Sequence, residues 1–123
     1  MKEIIAIIRP KKVGPTKDAL EKLGFPSITA ISVLGRGRQR GIAGELSFEV
    51  RPEIIVQGKS GGMKYIPKRL LSIVVRNADV DAVIKTIVDV NQTAQIGDGK
   101  IFVCPVDNAV RVRTDEQGET AVL

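Results

Sequence analysis

Residues 69–92 read "RLLSIVVRNADVDAVIKTIVDVNQ", and the change of period inside this stretch decides the fold. The first part, "RLLSIVVR" (69–76), is apolar on both alternating sets, as Val74 and Val75 illustrate. It predicts a strand whose two faces are both covered. The second part, "DVDAVIKTIVDVNQ" (79–92), sets Val80, Val83, Ile84, Ile87 and Val88 on one helical face, with Asp79 as N-cap. Strand and helix are thus adjacent in the chain, and each has an apolar face to bury.

Working outward, "EIIAIIRP" (3–10) predicts a buried first strand that Pro10 ends. "GPTKDALEKLG" (14–24) predicts an amphipathic helix with Pro15 in its first turn, Ala19, Leu20 and Leu23 on one face, and Gly24 as the stop. "SITAISVLG" (27–35) reads as the second strand and "IFVCPV" (101–106) as the fourth. The order is β-α-β-loop-β-α-β, an α+β ferredoxin-like pattern. It predicts a four-stranded antiparallel sheet with two helices on one face, in a single domain of residues 1–123. The other sheet face must also be covered, since Ile7 and Ile8, like Val74 and Val75, are apolar on both sides. Self-association is the economical cover for so short a chain, so an oligomer is expected.

Between Gly35 and Pro67 no period persists, and seven of the 12 glycines lie between 35 and 62. Residues 36–67 therefore read as one long mobile loop, a length that is usually functional or disordered. A short strand is expected in it at "EIIVQ" (53–57). The tail, residues 107–123, alternates Val110 and Val112 with Arg111 and Arg113 and is expected to be a strand that turns polar.

Composition removes several functional classes. The chain has no histidine, which excludes His-based acid–base catalysis and His metal ligation. Its one cysteine, Cys104, rules out an intramolecular disulfide framework and is expected to be a small buried hydrophobe. No apolar run approaches the roughly 18 residues that cross a bilayer, and the start lacks a cleavage site. A cytoplasmic protein with no membrane insertion is expected. The net charge is +5, but aromatics make up only 3% of residues, so stacking platforms for nucleic acid are not expected. No nucleophile has a plausible base and no carboxylates pair, so no enzyme is expected.

The basic residues instead gather in short loops beside glycines, which suits a compact polyanion. "GRGRQRG" (35–41) is not a dinucleotide fingerprint, and "IGDGK" (96–100) is not a Walker motif. On pattern alone each is a turn before it is a ligand loop. Together they offer backbone N–H groups unshielded by a Cβ, on what topology predicts are connected edges. Arg38, Lys100, Arg111 and Arg113 would add charge for phosphates.

These same stretches resemble the PII family of nitrogen-signalling proteins. "AIIRPKK" (6–12), "GRGRQRG" (35–41), "PK" (67–68), "TAQIGDGKIFV" (93–103) and "VRVRT" (110–114) fall in the family's order. The resemblance implies a trimer that binds ATP or ADP in clefts between subunits. Gly35, Gly37, Arg38, Gln39, Gly97, Asp98, Gly99 and Lys100 match one wall of such a cleft. Thr29, Arg111 and Arg113 match the wall of the adjoining subunit. Uptake of 2-oxoglutarate with ATP and Mg²⁺ is implied too, with Gln39 a magnesium ligand, Lys68 paired to the distal carboxylate and Gly41 a further contact. The loop from Gly35 to Lys68, called the T-loop in the family, is longer than in ordinary members. It has no match to the tyrosine that some bacterial members nucleotidylate. Ser72 stands where many relatives carry a glutamate near the ribose.

The loop, with "ELSFEV" and "CPVDNAVRVRT", looks most like the long-loop NifI proteins, which regulate nitrogenase. That resemblance implies a non-enzymatic regulator, as a homotrimer or in a mixed assembly with a short-loop NifI relative. Its implied target is nitrogenase component 1, with 2-oxoglutarate relieving inhibition. The alternative is a member that acts on an ammonium transporter, which Arg51 before Pro52 keeps open, or on another nitrogen-assimilation target such as glutamine synthetase.

Overall fold

The computed structural model describes residues 1–36, 48–49 and 64–122. Its elements run β1 (Lys2–Ile8), α1 (Val13–Leu23), β2 (Thr29–Gly35), β3 (Phe48–Glu49), β4 (Lys64–Val75), α2 (Val80–Asn91) and β5 (Gly99–Pro105). Short 3-10 turns lead into both helices and a third closes the tail. The sheet is antiparallel in the order β2-β4-β1-β5, with β3 paired to the start of β4. This is the expected ferredoxin-like architecture, with one more short strand.

β1 is central, paired with β4 on one side and β5 on the other. Its alternation is strict: Ile4, Ala6 and Ile8 are buried while Ile5 and Ile7 are not fully so. The buried set, with Leu71, Ile73 and Val75 of β4, meets Leu20 of α1 and Val83 and Ile87 of α2 to form the core. The two helices are joined by a polar chain within it. Asn91 Nδ2 donates to Thr16 Oγ1 at 2.9 Å and to Ile87 O at 2.8 Å, and Thr16 Oγ1 donates to Lys12 O at 2.7 Å. Gly24 ends α1 at φ 109°, the left-handed backbone of a glycine stop.

Three expectations change. The third strand starts at Lys64 rather than at residue 69, and so runs through Pro67. The proline is tolerated because β1 pairs only from Arg69 onward, leaving Pro67 with β2 alone as a neighbour. Asp79 sits at the N-cap of α2 but makes no cap bond; its carboxylate accepts from Arg76 Nε at 2.9 Å. Cys104 is only partly buried, because its register with Glu3 puts it on the face away from the helices. The predicted strand at 53–57 and most of the long loop lie outside the described residues.

That second face is apolar. Register places Ile5, Ile7, Ile31, Leu70, Val74 and Phe102 on it, opposite to the core set. Ile31 and Phe102 are 51% and 47% exposed, so within one copy nothing described covers them.

Candidate functional site

The antiparallel order brings the end of β2, the start of β4, the end of β1 and the start of β5 to one end of the sheet. Ile7, Gly35, Arg36, Ile66, Lys68, Gly97, Gly99, Lys100 and Phe102 are among the residues that line a cleft there of about 590 Å³. Gly35 and Lys100 were expected on connected edges. They lie at the same end but on opposite edges, bridged by β4 and β1, because β2 and β5 are the two outer strands.

The strand positions set this cleft's chemistry. Lys68 is only 8% exposed, and its Nζ donates to Gly97 O at 2.7 Å. A largely buried ammonium beside exposed Lys100 makes the cleft electropositive. A Cβ on Gly35 would approach Lys68 Cγ to 3.3 Å, so glycine there leaves the lysine stem undisturbed. Gly99 has φ 131°, and a Cβ on it would overlap the Ile7 carbonyl oxygen, so the turn can meet β1 only through a glycine.

Asp98 was expected on the nucleotide wall, and the structure places it behind the turn. Its carboxylate accepts from Arg9 Nη1 and from the hydroxyl and backbone N–H of Thr93. Arg9, 6% exposed, also donates to Ile96 O at 3.0 Å. Burial works to raise the acid's pKa. The Thr93 hydrogen bonds and then the Arg9 guanidinium overcome this and hold the carboxyl well below the usual range. Asp98 therefore locks the shape of "IGDGK" from within. Arg9 and Thr93 had no role in the sequence reading. The available signal was a basic residue at the end of a buried strand and an acid in a distant turn.

Thr29 and Arg111 lie elsewhere. They line a second cleft of about 390 Å³ at the other end of β2, with Ser72 and Val74. Arg111 stands on a hairpin closed by the bridge Val110–Gln117, where the alternating tail had predicted a strand. Its Nη1 donates to Glu116 Oε1 at 2.7 Å and its Nη2 to Thr120 O at 3.0 Å. The Thr114 hydroxyl, and then the Arg111 charge, hold Glu116 below the usual carboxylate range. Arg113 is exposed on the turn between. Gly37, Arg38, Gln39 and Gly41 lie outside the described residues. Among the described residues no cluster of three His, Cys, Asp or Glu could hold a metal ion. Glycine backbone with Lys68 and Lys100 fits an anionic ligand.

A family model described as Nitrogen regulatory protein P-II matches residues 1–116. The chain belongs to the P-II family. This P-II chain is 62% identical over 122 residues to the nitrogen fixation nifHD1 region GlnB-like protein 2 of Methanosarcina barkeri, covering 99% of each. It is 55% identical over 123 residues to the nifHD region GlnB-like protein 2 of Methanobacterium ivanovii, covering 100% of both. Among solved structures it resembles Arabidopsis thaliana PII bound to citrate, with TM-score 0.74 and 33% identity over 98% of this chain and 88% of that one. P-II proteins are signalling regulators, and the similarity to the nifHD-region proteins gives this member its NifI-like character.

Proposed function

We propose that this P-II chain is a non-enzymatic sensor of ATP or ADP and of 2-oxoglutarate that regulates nitrogen fixation by binding nitrogenase component 1. The observation that carries the reading is the convergence of buried Lys68, exposed Lys100 and the unshielded glycines on one cleft. Phosphates would lie along Gly35, Gly97, Gly99 and Lys100. Gln39 with Mg²⁺ would hold one end of 2-oxoglutarate, Gly41 would contact it, and Lys68 would meet the distal carboxylate. The Arabidopsis thaliana relative is bound to citrate, another small polycarboxylate.

Thr29 and Arg111 stand too far along the sheet to close the same cleft within one chain, so a second copy would bring them, with Arg113. The exposed apolar face of the sheet supports a trimer, as a homotrimer or mixed with a short-loop relative. Effectors would act by differential affinity for two states of the protein, and residues 36–67 would form the contact with the target. No helix among the described residues is long and apolar enough to cross a membrane.

Calorimetric titration with 2-oxoglutarate, with and without MgATP, tests the coupling. Binding is expected only when MgATP is present. Uptake that ignores the nucleotide would refute it.

A further inference from the structure

The charged side chains are sorted between the two ends of the sheet. Where β1 and β2 begin and β4 and β5 stop, Glu3, Asp81, Asp107, Asp115 and Glu119 outnumber Lys2 and Arg113. Arg76 and Arg111 at that end are paired with Asp79 and Glu116. At the opposite end the acids are already answered. Asp98 accepts from Arg9, Asp89 pairs with Lys85, and Glu49 is the register partner of Lys64. Cations remain there in excess. Lys68 and Lys100 line the effector cleft, but Lys11, Lys12 and Arg69 do not. Arg69 is the register partner of Ile8 and Ser32, which puts it on the helix side of the sheet, opposite to Ile7 and Lys100. The Pro10–Lys12 turn, which leads into α1, packs against β4. Leu34, paired with Pro67, shares the face of Arg69 one diagonal step away and is 51% exposed.

The placement of the two lysines is locally unfavourable. They directly precede α1, whose first turn holds no acid, so they stand at the positive end of the helix dipole. Among the described residues neither has an ion-pair partner. Cations kept against the local field point to an interaction outside the chain. We propose that Lys11, Lys12, Arg69 and Leu34 form a docking surface for an acidic patch on the target protein, beside the contact made by residues 36–67. An exposed leucine among cations suits a protein partner, since protein interfaces set an apolar centre within a polar rim. The phosphate backbone of a nucleic acid would leave that leucine bare. The inference rests on the target reading above and adds to it the part of the folded body that takes part, and the charge it meets.

Association of the full chain with nitrogenase component 1, followed by interferometry at rising salt, tests it. The double variant Lys11→Glu, Lys12→Glu should fold at least as well as the wild type, because the new acids suit the helix dipole. It should associate about tenfold more slowly at low salt, with dissociation little changed, and the gap should close at high salt. Leu34→Ala should instead leave association unchanged and speed dissociation several-fold. Binding to component 1 that ignores the charge reversal at every salt concentration would overturn the inference and leave the target reading standing. Absence of any wild-type binding to component 1 would overturn both. Wild-type binding to random duplex DNA in preference to component 1, lost on charge reversal, would assign the surface to nucleic acid and overturn it. A lower oligomeric mass for Leu34→Ala would assign the surface to the contact between copies and overturn it too.

Discussion

Gly99 is the position where "IGDGK" stops tolerating any other turn residue. Gly99→Ala meets both a left-handed backbone and the Ile7 carbonyl, and is expected to cost at least about 1–3 kcal/mol in urea unfolding. A loss below about 0.5 kcal/mol, the range of neutral surface changes, would contradict the close approach. Asp98 contributes differently. Its pKa is depressed in the folded state, so its stabilisation is complete above the unfolded value of about 3.9 and is lost as pH falls toward the folded value. Asp98→Asn should therefore destabilise most near neutrality, and the gap from wild type should narrow in acid. A gap in urea midpoint that stayed constant from pH 7 to pH 3 would exclude that role. For the ligands, Lys68→Ala should abolish the 2-oxoglutarate response while ATP binding remains measurable, and Arg113→Ala should weaken nucleotide first. Calorimetry on both variants separates these outcomes, and loss of partner binding alone in both would refute the site assignment.

At the scale of elements, the joint between α1 and α2 is the Thr16–Asn91 hydrogen bond inside an otherwise apolar contact. Thr16→Val keeps the shape and removes one of the two acceptors of the buried Asn91 Nδ2, leaving Ile87 O as the other. It should cost about 1–3 kcal/mol by chemical denaturation. Sequence period alone located both helices to within a residue, because each buries a stripe at helical spacing and ends at a recognisable signal such as Gly24. β1 was legible from its near-continuous apolar run, which Pro10 ends. The start of β4 was not. Nothing local marks "KYIPK" as strand; pairing with β2 and with β3 determines it, and both are distant in sequence. The site was legible as glycines and cations but not as geometry. The Arg9–Asp98 bond joins residues 89 apart, and no local pattern announces it.

For the whole molecule, the uncovered sheet face is what an assembly must bury. Phe102→Asp puts a charge on that face at a half-exposed position, so the chain should still fold but lose its oligomeric mass in light scattering. An unchanged mass would show that the face lies outside the interface. Mass measurement after co-expression with a short-loop relative would distinguish a homotrimer from a mixed ring. The strand order has a genetic consequence as well. Since Lys68 and Thr29 sit at opposite ends of the sheet, each chain would donate one wall to one cleft and a different wall to the next. A chain carrying Lys68→Ala and a chain carrying Arg113→Ala, each defective alone, would form some clefts with both walls intact when mixed. Two broken alleles would partly complement each other, whereas both changes placed on one chain could rescue nothing in a homotrimer.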